Sequence, residues 1–282
     1  MEFFAPAKVN LSLRVLRRRE DGFHEIESLL CPLSIFDTLD LTHREEGGFE
    51  FVCDDTTLPA GDDNLVVRAA KLFCESCGFE PHLRISLTKR IPHGAGLGGG
   101  SSDAATTLIG LDRLFGTELS RAALAAMAAD LGSDVPFFIY HSAAIIRGRG
   151  EHVEPVAFPH ELPLLLVKPP FGVPTPWAYQ HWRDSREIPG VRYASQDFPW
   201  GSLVNDLERP VFEKYIFLAD LKSWLLEQPE VAGALMSGSG ATVFALLHEK
   251  SAAETLAPRI AAEFGTNLWC CLCETVGSVS SD

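Results

Sequence analysis

The chain of 282 residues is long enough for one large domain or two smaller ones, and its 46% hydrophobic content supplies material for a packed core. Its 38 acidic and 24 basic residues give a net charge of −14, which argues against a nucleic-acid partner, because such partners are bound by basic surfaces. No apolar run approaches the ~20 residues that a membrane-spanning helix needs, and residues 1–15 alternate between polar and apolar side chains, unlike a signal peptide.

Strands and helices are both predicted in the first half of the chain. Residues 7–17 alternate with period two, which predicts a strand with Val9 and Leu11 on one face and Lys8 and Asn10 on the other. Further strands are predicted at 35–43, 48–52 and 83–88, and helices at about 64–77, 101–115 and 120–131. The pattern breaks near residues 147–150, so we predict an N-terminal domain at 1–150 and a C-terminal domain at 151–282.

The second half has a different order of elements. A buried strand at 162–167 is followed by a proline-rich turn at 169–176, a long loop without periodicity at 183–201 and a helix at about 211–226. Apolar runs at 232–236 and 242–247 are joined by Gly238, Ser239 and Gly240, which predicts a hairpin with backbone room for a ligand. A helix at 251–264 and a strand at 267–274 complete a βαββαβ order, so the fold class is α+β.

The chain contains seven cysteines, an odd number that is typical of a reducing compartment in a chain of this size, so we expect a cytoplasmic protein. One alternative is a metal site formed by Cys74 and Cys77 together with Cys270, Cys271 and Cys273. We favour core packing for all five. The first two fall on a predicted helix and the other three in an apolar strand, where cysteine behaves as a small hydrophobe.

Five of the twelve residues from 92 to 103 are glycine, between a predicted strand and a predicted helix. Such a loop exposes backbone N–H groups and the positive end of a helix dipole, which predicts a phosphate-binding loop. A glycine-rich turn without a ligand is the alternative. The dinucleotide pattern fits Gly94, Gly96 and Gly99, but no acidic residue closes a second strand, because Asp112 lies on the helix. The Walker pattern and the protein-kinase motifs are absent.

Other polar residues have two interpretations each when they are taken alone. Lys8 and Asn10 are either functional or the exposed face of a strand, and Asp134 is either functional or a helix-capping residue. His24, at the exit of a turn at 21–24, is either a ligand contact or a structural histidine.

Several segments together resemble one family, the GHMP small-molecule kinases, over essentially the whole chain. These segments are residues 6–11, 21–24, 92–105, 132–138, 174–176, 205–208 and 237–240. The resemblance implies a two-domain GHMP kinase fold with a ribosomal-protein-S5-domain-2-like N-terminal half and a ferredoxin-like α/β sandwich as the C-terminal half. It also implies ATP-dependent phosphorylation of an alcohol with Mg²⁺, and within the family it favours an acceptor that carries a cytidine diphosphate.

The resemblance assigns the nucleotide to the glycine loop and its surroundings. Asn64 and Lys89 match positions near the adenine, and Ser101 or Ser102 would help to hold Mg²⁺. The loop residues that would bind the ATP phosphates are Pro92, Gly94, Ala95, Gly96, Leu97, Gly98, Gly99, Gly100, Ser101 and Ser102.

The resemblance also assigns the acceptor side. Lys8 and Asp134 match the catalytic pair and Asn10 a substrate-positioning residue. Phe23 would stack on the cytosine, His24 would bind its edge, and Thr175 would form the opposite wall of the pocket. The family usually has tyrosine where this chain has Phe23, so the stacking face is kept and the hydroxyl is lost.

Two other functions stay open from sequence. One is a GHMP kinase for another alcohol, such as homoserine, mevalonate or a sugar. The other is a catalytically silent nucleotide-binding protein. The expected partner is a small molecule, with neither a nucleic acid nor a membrane, and the oligomeric state is open between a monomer and a weak homodimer.

Overall fold

Two β-sheets pack face to face, and helices cover their outer faces. The computed structural model describes residues 1–45 and 47–277. In chain order, the elements up to residue 155 are β1 (Glu2–Arg18), β2 (His24–His43), β3 (Glu50–Cys53), α1 (Leu65–Cys77), β4 (Leu83–Thr88), α2 (Gly99–Phe115), α3 (Arg121–Leu131), α4 (Val135–Ile139), β5 (Ala144–Gly148) and β6 (His152–Pro155). Those after it are β7 (Pro163–Lys168), α5 (Thr175–His181), β8 (Gln196–Phe198), β9 (Gly201–Asn205), α6 (Glu208–Lys214), α7 (Ile216–Leu226), β10 (Val231–Met236), β11 (Val243–Leu247), α8 (Ala252–Phe264) and β12 (Trp269–Glu274).

The larger sheet has the strand order β3-β4-β2-β1-β9-β8, and the β5–β6 pair extends from β2. Strands β1 and β2 form a long antiparallel pair whose register shifts between Pro6 and Lys8 and again between Asn10 and Ser12. Strand β9 pairs with β1 in parallel, with Ser12 opposite Val204. Helices α1 to α4 cover the outer face of this sheet over a core that includes Phe73, Leu108 and Phe137.

The smaller sheet is entirely antiparallel and has the strand order β10-β11-β7-β12. With α7 and α8 it follows the predicted βαββαβ order. Alternate residues of β7 and β11 face the two sides, as strand geometry requires. Leu165 and Val243 pack with helices α7 and α8, whereas Leu166 and Phe244 pack with Val9 and Leu11 of β1. The apolar face of β1 is therefore buried between the sheets.

Most predicted elements are confirmed to within a few residues. The strand at 83–88 has the predicted bounds, and the helices predicted at 64–77, 101–115, 120–131 and 251–264 correspond to α1, α2, α3 and α8. Helix α2 begins two residues earlier than predicted, inside the glycine loop. The α+β class is confirmed.

Three predictions about local structure are wrong. The segment 183–201 contains β8 and the start of β9, which form a hairpin. The helix predicted at 211–226 is two helices, because Tyr215 has φ −112° and ψ 70° and interrupts the helical backbone. Strand β2 begins at His24 rather than near residue 35.

Elements from both sides of residue 150 contribute to the larger sheet. Residues 149–151 connect β5 to β6 within it, and β8 and β9 return to it from the second half of the chain. The division into domains at 1–150 and 151–282 stays a prediction.

All seven cysteines are free. Cys74 packs in the core beneath α1, and Cys273 packs in the separate core between the sheets. Within residues 1–45 and 47–277, no group of three or more His, Cys, Asp or Glu side chains is arranged to hold a metal ion. No helix among these residues has the length and apolar character to cross a membrane.

Candidate active site

The glycine loop connects β4 to α2 and turns through left-handed backbone conformations. Gly94, Gly96 and Gly98 have φ of 62°, 74° and 73°, which only glycine adopts without strain. Gly98 is the N-cap of α2 and has no side chain to cap it, so the first N–H groups of a 17-residue helix are left for a ligand. These groups and the helix dipole favour an anion at this position.

The turn at 237–240, between β10 and β11, closes against the glycine loop. The Ser237 Oγ donates a hydrogen bond of 3.0 Å to the carbonyl oxygen of Gly96, and the Thr242 N–H donates one of 3.2 Å to that of Ala95. A Cβ at Gly96 would lie 2.8 Å from the Gly240 carbonyl oxygen and closer still to that of Ser237. The approach therefore requires glycine at position 96.

Lys8 and Asn10 lie side by side on β1 and are buried, with exposures of 4% and 5%. The Lys8 Nζ donates a hydrogen bond of 2.7 Å to Asn10 Oδ1, and Asn10 Nδ2 donates one of 2.8 Å to Ser28 Oγ. Burial lowers the pKa of Lys8, and the nearby charge of Asp134 opposes this shift. The alternative of an exposed strand face is excluded for both residues.

Asp134 faces Lys8 across the site, with its Oδ2 3.8 Å from the Lys8 Nζ. It occupies the N-cap position of α4, but its side chain makes no capping hydrogen bond. The carboxylate is instead 48% exposed and lines the same cavity as Lys8. The capping alternative therefore does not account for this side chain, which is available to a ligand.

The turn at 21–24 places an aromatic ring and an imidazole at the other end of the site. Asp21 Oδ1 accepts a hydrogen bond of 3.1 Å from the Phe23 N–H, and this contact fixes the turn. The Phe23 ring is 49% exposed, and the Arg149 guanidinium lies 5.1 Å from its centroid. The His24 ring stacks on Tyr179 with a centroid separation of 5.4 Å.

The protonation state of His24 follows from its surroundings. Burial and, secondarily, the positive charge of Arg18 lower the pKa of the imidazole. The ring is therefore mainly neutral at pH 7, with one nitrogen that donates a hydrogen bond and one that accepts.

One cavity of about 780 Å³ joins these features. The Thr175 Oγ1 and Ser239 Oγ lie 2.8 Å apart on its wall and link α5 to the turn at 237–240. Every predicted site residue except Ser102 lines the cavity. These residues are Lys8, Asn10, Phe23, His24, Asn64, Lys89, Pro92, Gly94, Ala95, Gly96, Leu97, Gly98, Gly99, Gly100, Ser101, Asp134 and Thr175.

Ser102 is fully buried, and its Oγ has no hydrogen-bond partner among the described residues. Asn64 caps α1, because its Oδ1 accepts a hydrogen bond of 2.9 Å from the Val66 N–H. Its Nδ2 donates a second bond of 2.9 Å to the Pro59 carbonyl oxygen. Asn64 thus holds the helix end that forms one side of the cavity.

Lys89 pairs with two buried carboxylates, Asp37 and Asp103, behind the glycine loop. Its Nζ lies 2.8 Å from Asp103 Oδ2, and Asp37 Oδ1 also accepts hydrogen bonds from the backbone N–H groups of Arg90 and Ile91. Burial raises the pKa of Asp103 to about 8, although Lys89 opposes the shift. This cluster fixes the position of residues 89–91, which directly precede the glycine loop.

Several residues of the site were not among those predicted from the sequence. Arg149 and Tyr179 line the cavity, and Asp37 anchors Lys89. A helix prediction at 175–181 would have found Tyr179, which lies one helical turn after Thr175 on the same face. No sequence signal indicated Arg149 or Asp37, because each reaches the site through long-range strand pairing.

Comparisons of the sequence with family models and with known proteins both indicate the GHMP kinases. Residues 64–142 match the family model for the GHMP kinases N terminal domain, and residues 197–266 match the model for the GHMP kinases C terminal. The chain is 44% identical over 251 residues to the 4-diphosphocytidyl-2-C-methyl-D-erythritol kinase of Methylacidiphilum infernorum (isolate V4), covering 88% of this chain and 86% of the relative.

Solved structures extend the comparison. The fold is similar to a crystal structure of 4-(cytidine 5'-diphospho)-2C-methyl-D-erythritol kinase, with a TM-score of 0.79, 37% identity, and coverage of 98% of this chain and 100% of that one. It is also similar to homoserine kinase from Cytophaga hutchinsonii, with a TM-score of 0.68, 20% identity, and coverage of 98% and 94%. The second likeness concerns the fold alone.

Proposed function

The chain belongs to the GHMP kinases, and on that premise we propose that it transfers the γ-phosphoryl group of ATP to the 2-hydroxyl of 4-diphosphocytidyl-2-C-methyl-D-erythritol. The products are the 2-phosphate and ADP, and the reaction belongs to the non-mevalonate route to isoprenoid precursors. One observation supports the assignment of phosphoryl transfer to Lys8 and Asp134. A lysine and a carboxylate lie 3.8 Å apart in a cavity that also contains a glycine loop at a helix N-terminus.

Asp134 accepts or orients the proton of the attacking hydroxyl. Lys8 places a positive charge 3.8 Å from Asp134 and offsets negative charge at the reacting centre. Asn10, which is hydrogen-bonded to Lys8, positions the acceptor. Phosphoryl transfer passes through a loose transition state, so the protein contributes mainly alignment and charge neutralisation rather than covalent chemistry.

The glycine loop holds the phosphates of ATP with its backbone N–H groups. The three left-handed glycines let the chain approach the anion without a Cβ in the way. Asn64 and Lys89 lie at the adenine end, where each is already engaged with protein groups. They therefore act there chiefly by shaping the pocket.

The donor set fits Mg²⁺, which prefers oxygen ligands and is usually held by one or two protein groups together with substrate phosphates. Ser101 lines the cavity at the start of α2, and Asp134 lines it from the opposite side. Ser102 is fully buried, so we assign Ser101 rather than Ser102 to the ion. When bound, Mg²⁺ neutralises charge on the transferred phosphoryl group.

The cytidine end of the acceptor binds between the turn at 21–24 and α5. Phe23 offers an exposed ring face for stacking, and His24 offers one donor and one acceptor for the cytosine edge. Thr175 and Tyr179 form the opposite wall. Arg149 places a positive charge beside Phe23, which suits a substrate that carries a diphosphate.

An ADP-release assay with ATP and Mg²⁺ tests this function. The cytidyl substrate is compared with mevalonate, homoserine and galactose, and the phosphorus spectrum of the product is recorded. We expect turnover with the cytidyl substrate alone and a new phosphomonoester signal. Turnover of another alcohol would refute the cytidine pocket, and ATP binding without any turnover would favour a catalytically silent nucleotide-binding protein.

A pair of histidine variants tests the pocket itself. His24→Ala should raise the KM for the cytidyl substrate by about tenfold or more, since a lost hydrogen bond to a buried polar edge costs ~1–3 kcal/mol. The KM for ATP should stay unchanged. His248→Ala is the control, because His248 is exposed and does not line the cavity. Equal effects of the two variants would contradict the assignment of His24.

The cytoplasmic location stays a prediction, as does the absence of a nucleic-acid partner.

A further inference from the structure

Asn205, at the end of β9, has a buried amide that bonds to protein backbone on three sides. Its side chain is 4% exposed. Its Nδ2 donates hydrogen bonds of 2.7 Å to the Met236 carbonyl oxygen and 2.8 Å to the Gly238 carbonyl oxygen. Its Oδ1 accepts one of 2.9 Å from the Leu207 N–H. The amide therefore bonds both to the last residue of β10 and to the turn at 237–240.

That turn contacts the parts of the site that take part in the reaction. Gly238 has φ of 58°, and a Cβ on it would lie 3.3 Å from both Lys8 Nζ and Asn10 Oδ1. On its other side, Ser237 bonds to the Gly96 carbonyl oxygen of the glycine loop. The turn thus lies directly between the loop and the Lys8–Asn10 pair.

The residues that follow Asn205 tie the same segment to β1 and β10. Asp206 Oδ2 accepts a hydrogen bond of 2.9 Å from the Val15 N–H on β1. Glu208 Oε1 accepts one of 3.0 Å from the Met236 N–H, so Met236 is held at both its N–H and its carbonyl. Segment 205–208 therefore links the strand that carries Lys8 to the turn that contacts Lys8.

We propose that Asn205 is a positioning residue for phosphoryl transfer. It holds the turn at 237–240 in one position against both Gly96 and the Lys8–Asn10 pair. This inference rests on the proposed function, because the aligned groups are those assigned to ATP and to the acceptor hydroxyl. In-line transfer is sensitive to alignment, and a displacement of about 1 Å can cost roughly 10²-fold in rate.

A matched pair of substitutions tests the proposal. Asn205→Asp keeps the side-chain size and removes both donors. Gln196→Glu makes the same chemical change at a second buried amide, whose Nε2 donates a bond of 2.8 Å to the Ala234 carbonyl oxygen on the same strand, β10. Gln196 is 3% exposed and does not line the cavity.

We expect both substitutions to lower the melting temperature, but only Asn205→Asp to lower kcat per folded molecule, by about 10- to 100-fold. The KM values for ATP and for the cytidyl substrate should change little, since Asn205 contacts neither end of the cavity. Equal kcat losses for the two variants, or a rise in KM alone, would overturn the proposal. If Asn205→Asp does not fold, Asn205→Ala removes the donors without adding a charge and is judged by the same criteria.

Amide hydrogen exchange gives a readout that does not depend on turnover. Asn205→Asp should speed exchange in peptides that cover 94–98 and 237–242, and Gln196→Glu should not. Unchanged exchange in both segments would overturn the proposal even if activity were lost. If the wild-type enzyme used a different alcohol, the proposed function would fail, and the exchange and kcat comparisons would still decide the role of Asn205.

Discussion

The contact between Gly96 and the turn at 237–240 predicts the effect of a single added methyl group. In Gly96→Ala the new Cβ would lie 2.8 Å from the Gly240 carbonyl oxygen and closer to that of Ser237. Both contacts are to backbone, so no side chain can rotate away. Ordinary carbon contacts begin near 3.5 Å, and the loop or the turn must therefore move by about 1 Å.

Two costs follow from this substitution. The left-handed conformation of residue 96, with φ of 74°, costs a non-glycine residue about 1–2 kcal/mol of folding stability. If the loop binds the γ-phosphate as proposed, the displacement misaligns it, and we expect kcat to fall by roughly 10²-fold. The second effect is kinetic and should persist in the fraction of molecules that folds.

Gly78→Ala separates the two costs. Gly78 has φ of 73° at the end of α1, but nothing lies within 4 Å of a Cβ placed on it, and it does not line the cavity. We expect both variants to lose thermal stability and only Gly96→Ala to lose kcat, measured as ADP release per folded molecule. A kcat for Gly96→Ala close to that of Gly78→Ala would refute the reasoning that the turn fixes the loop.

Two further predictions concern charged residues. Asp134→Asn should lower kcat by about 10²–10⁴-fold and leave the KM for ATP nearly unchanged. Burial lowers the pKa of Lys8, and the charge of Asp134 opposes this shift. Lys8 therefore loses its positive charge as the pH rises, and activity should fall with it. In Asp134→Asn the opposing charge is gone, so the fall should begin at a lower pH. An unshifted alkaline limb of the kcat–pH profile would contradict the coupling. Lys222→Met should lower the free energy of unfolding by about 3–5 kcal/mol, because it leaves the carboxylate of Glu208 buried and unpaired. The double variant with Glu208→Gln should recover most of this loss in urea denaturation, and no recovery would contradict the ion-pair explanation.

Local patterns were sufficient for much of the fold. Period-two alternation placed Lys8 and Asn10 on one face of a strand, and the apolar stripe after the glycines predicted a helix from residue 101, two residues after its start at Gly99. The resemblance to the GHMP kinases supplied the fold and the family, and the comparisons confirm both. The roles of individual site residues stay predictions that the variants above test.

Long-range pairing accounts for most of what the sequence did not indicate. Lys8 and Asn10 are buried because the glycine loop and the turn at 237–240 cover them, and these segments lie about 90 and 230 residues further along the chain. Strand β8 has only three residues, too few for a periodic signal. Tyr215 interrupts a helix without any glycine or proline to mark the break.

The parallel pairing of β1 with β9 has a consequence for synthesis of the protein. A ribosome adds about 5–20 residues per second, so the roughly 190 residues between Ser12 and its partner Val204 take about 10–40 s to appear. During that interval one edge of the strand that carries Lys8 has no neighbour, and unpaired strand edges promote association with other chains. The nascent N-terminal half also lacks the turn that fixes Gly96. The hydrogen bonds from Ser237 and Thr242 to the glycine loop can therefore form only after the residues near 240 have left the ribosome.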